Sequence, residues 1–179
     1  MFSDKRSKKV VFAVHCILNQ NARIEGCGFF AGVINKPAQA LIKSGAGIIQ
    51  MPCPELLYAG LDRRGHECMK NGIRESMSTP QGQSACRRMA RGIIRQIQEY
   101  QKNGFAVLGI IGNDGSPSCG VKLTWSHSKD KNIKGQGAFI AALRSELRKH
   151  TLKVPFIAIE DFKWEKSAER IKKLLSATV

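Results

Sequence analysis

Four short apolar runs set the strongest limit on what this 179-residue chain can fold into. They cover residues 10–14, 46–51, 105–111 and 154–159, and each is continuous and rich in aliphatic residues rather than alternating. That is the pattern of parallel strands buried on both faces. Amphipathic helical patterns lie between them. Thr79-Pro80 reads as an N-cap followed by proline at the first helical position. Cys86, Met89, Ala90, Ile93, Ile94 and Ile97 then trace one apolar stripe, which Asn103-Gly104 closes as a C-cap would. Further helices are expected from Asn35 to Ser44-Gly45, around Phe139, Leu143 and Leu147, and around Trp164, Ala168, Ile171 and Leu175. Strands alternating with helices predict an α/β fold with a Rossmann-like, doubly wound, mainly parallel sheet and flanking helices. One domain is expected over residues 1–179. Residues 112–134, rich in Gly, Ser, Asp and Lys, read as a long functional loop.

Composition narrows the classes of function. A hydrophobic fraction of 42% with 24% charged residues excludes a disordered chain. No apolar run reaches membrane length, and the N-terminal run is too short for a signal segment, so a soluble, cytoplasmic protein is expected. The chain carries 29 Lys and Arg against 14 Asp and Glu, a net charge of +15 that favours anionic partners such as nucleotides or RNA. The basic residues are dispersed. Arg87, Arg91 and Arg95 recur on one face of their helix, whereas Arg63-Arg64 and Lys129, Lys131 and Lys134 are expected to rim the site described next. His66, His127 and His150 stand alone in polar surroundings and receive no role.

Open parallel sheets bind ligands beyond the carboxyl ends of their strands. Three of the six cysteines fall there, each after an apolar run: Cys16, Cys53 and Cys119. They are far apart in sequence, so only the fold can gather them. Three converging thiolates suit a soft metal centre, and an iron–sulfur cluster above all. Three cysteines on a four-iron cluster leave one iron without a protein ligand, open to substrate as a Lewis acid. His15 could supply a fourth ligand, but strand alternation is expected to turn it to the face opposite Cys16. Small cysteines also pack readily at strand ends, and Cys86 in its apolar stripe is expected to be core. Cys27 and Cys68 sit in polar, glycine-containing segments and read as incidental thiols, with an accessory role left open.

The segments Cys-Ile-Leu-Asn-Gln-Asn-Ala-Arg-Ile-Glu-Gly (16–26), Cys-Pro-Glu-Leu-Leu-Tyr-Ala-Gly-Leu (53–61) and Ser-Pro-Ser-Cys-Gly (116–120) resemble the thiouracil desulfidase family in order and spacing. The resemblance implies a four-iron, four-sulfide cluster on Cys16, Cys53 and Cys119, with one iron free for the sulfur of a thiolated pyrimidine. It implies non-redox replacement of that sulfur by water, assisted by Glu55 with Ser116 or Ser118. Asp114 is the reserve carboxylate, and Asn19 and Arg23 are candidates for holding a pyrimidine edge or a phosphate. Asn113-Asp114 stands where the family often has Lys-Glu, and Arg23-Ile24-Glu25-Gly26 where Arg-Tyr-Asp-Gly is common.

Without the resemblance, Glu55 reads equally well as a carboxylate serving a helix N-terminus, and the two serines as turn residues around Pro117. Three functions therefore stand beside one another. The first is desulfuration of a thiolated base, nucleoside or nucleotide, with thiolated tRNA as the largest candidate. The second is a cluster enzyme or carrier that holds sulfide for transfer. The third is a basic RNA-binding domain with structural cysteines.

Overall fold

The computed structural model describes residues 3–65 and 72–176. The four apolar runs form β1 (Lys9–Ala13), β2 (Gly47–Gln50), β3 (Ala106–Asp114) and β6 (Phe156–Glu160). They pair in the order β2-β1-β3-β6, every neighbour parallel. The doubly wound α/β sheet read from the sequence is therefore the one observed.

The helices connect these strands. They are α1 (His15–Leu18), α2 (Asn35–Lys43), α3 (Pro54–Ala59), α4 (Ile73–Met77), α5 (Pro80–Lys102), α6 (Ala138–Lys149) and α7 (Trp164–Ser176). Helix α5 begins as its sequence dictates, with the Thr79 hydroxyl accepting from the Gly82 N–H and Pro80 at the first position. Helix α2 packs on α7, and α5 packs on α6. Right-handed crossovers put these pairs on opposite faces of the sheet. The core between them is aliphatic, with Val11, Phe12, Ile110 and Ile111 from the central strands meeting Ile94, Ile97, Phe139, Leu143 and Ile171. Cys86 lies buried among these side chains.

Two features position the site. From β1 the chain winds outward to β2 and from β3 outward to β6, so the switch point lies between β1 and β3. In addition, β3 outruns its neighbour. Ala13 at the end of β1 pairs with Ile111, so Asn113 and Asp114 project beyond β1 over the carboxyl edge.

The segment expected as one long loop is more ordered than that. Strand β3 runs on to Asp114, and an antiparallel hairpin follows, β4 (Leu123–Ser126) with β5 (Lys131–Lys134). The Asp114 carboxylate fixes the turn before it, with Oδ1 accepting the backbone N–H groups of Val121, Lys122 and Leu123. Strands of four residues are too short for a clear periodic signal, and in β4 it is Thr124 and Ser126 that are buried while Trp125 is exposed. Among the described residues no helix is long and apolar enough to cross a membrane.

Candidate active site

Cys16 and Cys53 lie at matching places, each three residues beyond the register pair Ala13↔Gln50. Cys16 sits in α1, directly after β1. Cys53 is the N-cap of α3, its Sγ accepting from the Leu56 N–H at 3.5 Å. Cys119 arrives from the far side of the switch point on the loop after β3. That loop is docked on the N-terminus of α6, where Ala138 N–H donates to Pro117 O and Phe139 N–H to Ser118 O. A helix N-terminus lacks internal acceptors for these groups, so the loop supplies them. The fit leaves no room for side chains. A Cβ on Gly137 would collide with the Ser118 carbonyl carbon, and one on Gly120 with Leu123 O.

All three thiols line one cavity of about 800 Å3. Burial pushes the Cys16 thiol up to about 12 and raises those of Cys53 and Cys119, and the Cys119 thiol is also raised by its neighbours Cys16 and Cys53. Burial and their neighbours disfavour the thiolate forms of all three, and a bound, soft, cationic group would stabilise those thiolates. Among the described residues no three His, Cys, Asp or Glu side chains close around a single ion.

Glu55, in the first turn of α3, faces the thiols with its carboxylate engaged. Ser118 Oγ donates to Glu55 Oε1 at 2.6 Å, Ser116 Oγ donates to the same oxygen at 3.3 Å, and Arg63 Nε donates to Oε2 at 3.3 Å. Ser116 Oγ also accepts from the Cys119 N–H at 2.9 Å, which ties the carboxylate to the cysteine loop. A hydroxyl this short against a carboxylate is a charge-assisted bond along which a proton can move.

Arg63, expected at the rim, is instead buried, 2% exposed. Its guanidinium donates to the carbonyls of Gly60, Leu61 and Ala22 as well as to Glu55, because the loop after α3 folds it inward. Arg64 remains exposed. Lys129, Lys131 and Lys134 are exposed on the hairpin and do not line the cavity. Arg23 does line it, but Asp161 holds it in a bidentate pair at 2.6 and 3.2 Å. Asn19 is turned to local bonding, its Oδ1 accepting from the Asn21 N–H. Asp114 lies on the cavity wall with Oδ1 committed to its turn.

His15 departs from the expected geometry. The chain has already turned into α1 at this position, so strand alternation no longer applies, and His15 lines the same cavity as Cys16. Other residues of the site carry no such signal in the sequence. Cys27 faces the cavity beside the three thiols, and Asn113 is buried there with Oδ1 lacking a partner. Gln20 holds the loop bearing Cys27, donating to Cys16 O at 2.7 Å and accepting from the Phe29 N–H at 3.1 Å. His127 also lines the cavity, whereas His66 and Cys68 lie outside the described residues.

Residues 11–154 match the model of the 2-thiouracil desulfurase family. The chain belongs to that family. An uncharacterized protein of Methanocaldococcus jannaschii is 30% identical over 174 residues, 97% of this chain and 99% of the relative. A solved structure, the [4Fe-4S]-dependent thiouracil desulfidase TudS, superposes with a TM-score of 0.52 over 92% of this chain and 99% of that one. Its sequence is 19% identical, a likeness that shows the shared fold.

Proposed function

We propose that this protein desulfurates a thiolated pyrimidine, thiouracil or its nucleoside or nucleotide, with an iron–sulfur cluster held by Cys16, Cys53 and Cys119. The observation that carries the reading is the shared cavity, in which one buried and two half-buried thiols face a carboxylate already hydrogen-bonded to two serines. Family membership supports the same reaction, and the fold shared with a [4Fe-4S]-dependent desulfidase supports the same cofactor. When bound, such a cluster supplies a soft Lewis acid at the iron without a protein ligand, which draws charge from the departing sulfur.

The chain supplies the proton chemistry. Water adds its oxygen to the ring carbon, the carbon–sulfur bond breaks and sulfur leaves as hydrosulfide with one of the water's two protons, so no oxidation state changes. Glu55 takes a proton from that water, with Ser118 as the hydroxyl through which its Oε1 reaches the reacting atoms. Arg63 fixes the other carboxylate oxygen and keeps the carboxylate aimed. Asp114, with one oxygen tied to three backbone donors, organises the loop instead of sharing this role.

The test is anaerobic purification, iron and sulfide analysis, and the thiocarbonyl absorbance of 2-thiouracil. The expected result is loss of that absorbance with equal release of sulfide. A clustered protein that leaves thiouracil intact would point to sulfide transfer. A protein that takes up no iron would leave a basic RNA-binding domain.

A further inference from the structure

The mouth of the cavity is built of exposed apolar side chains. Ile24, Trp125 and Phe162 line it, and Phe29 packs against Phe162 with ring centroids 4.6 Å apart and planes tilted by 54°. Phe162 is the most unusual of them. It lies between β6 and α7, 73% exposed, with a backbone φ of 64°. That left-handed conformation is strained for a bulky side chain, and an exposed ring contributes little burial to offset the strain. Strained residues persist where the surroundings fix them, and they gather at ligand sites. Here the surroundings do fix it. Asp161 is paired to Arg23, the Arg23 guanidinium lies 5.2 Å from the Phe29 ring, and Trp164 sits 6.1 Å from Phe162. The result is an aromatic face on the wall of the thiol cavity.

We propose that Phe162 is the platform on which the pyrimidine ring of the substrate stacks, a role that rests on the desulfuration reading above. A planar heterocycle suits such a face because every base presents a π surface to it. The cavity is of the size that serves drug-sized ligands, ~300–1,000 Å3, so a ribose on the ring is accommodated as well. The ring then enters over Phe162 with its sulfur directed inward to the thiols.

The experiment is calorimetric binding of uracil and uridine, which carry no sulfur to react, to the anaerobic clustered protein. Wild type, Phe162→Gly and Phe162→Tyr are compared, with iron content and melting temperature measured for each. Phe162→Tyr should bind as wild type does. Phe162→Gly should bind about 10-fold more weakly, with unchanged iron and an equal or higher melting temperature, because glycine adopts this φ freely. Unchanged affinity in Phe162→Gly would overturn the proposal. So would a lowered melting temperature alongside the weaker binding, since the ring would then be holding the loop together. Failure of the wild type to bind either probe would overturn the pyrimidine reading itself, and this role with it.

Discussion

Three donors converge on the Glu55 carboxylate: Ser116, Ser118 and Arg63. Glu55→Gln preserves the shape of that arrangement and removes the base. Turnover should fall roughly 10²–10⁴-fold while iron content stays at the wild-type level. Near-normal turnover with full iron would remove Glu55 from the reaction. The cysteines should divide just as clearly. Cys27 lines the cavity, but the proposed ligands are the three strand-end thiols, so Cys27→Ser should retain iron. Cys16→Ser, Cys53→Ser and Cys119→Ser should each lose it, and loss of iron in Cys27→Ser would make that residue a fourth ligand. Cys16, Cys53 and Cys119 are legible in the sequence because each follows an apolar run, and strand ends share one edge of the sheet. Cys27, Gln20 and buried Arg63 are not. Their positions depend on how irregular loops fold back, and no local pattern encodes that.

At the scale of elements, the loop of Cys119 depends on the N-terminus of α6. Gly137→Ala would drive a methyl group into the Ser118 backbone, which has no space to receive it. A cost of about 1–3 kcal/mol is expected in chemical denaturation, along with weakened iron retention. Gly92 in α5 is the control, since nothing lies within 4 Å of an added Cβ there. Gly92→Ala should stabilise by about 1 kcal/mol, from helix propensity alone. The end of β6 carries a pH-dependent anchor for the turn that presents Phe162. Hydrogen bonds from Lys163 and Arg170 hold the Glu160 carboxyl below its ordinary value of 4.5. A depressed carboxyl stabilises the fold above its ordinary value, and that contribution is lost as pH falls through the folded one. The melting-temperature difference between wild type and Glu160→Gln should therefore be largest near neutrality and shrink below pH 4.5. A difference constant with pH would contradict this. The main strands and the long helices are readable because burial on two faces or one stripe imprints a pattern on the sequence. The hairpin and helices α1, α3 and α4 are too short to carry one, and backbone bonds to Asp114 and Cys53 shape their surroundings instead.

At the scale of the whole molecule, most of the cations behind the charge of +15 lie away from the cavity. Arg23, Arg63 and Lys163 on the cavity wall are each paired with a carboxylate, Arg74 also lines it with its Nε lacking a hydrogen-bond partner, and Lys129, Lys131 and Lys134 lie outside it. Desulfuration of the neutral free base should therefore be nearly independent of salt. A thiolated RNA, reaching the outer lysines and arginines, should lose kcat/KM steeply as salt rises. Equal salt dependence for both would leave the charge with no part in substrate capture. The central claim is that three thiols hold a cluster with one iron open to the substrate's sulfur. Its most direct test is the Mössbauer spectrum of the anaerobic, iron-57-labelled protein before and after addition of 2-thiouracil. The account predicts that one iron site changes its environment while the others stay as they were. A spectrum identical in all sites, or one in which every site changes together, would contradict it.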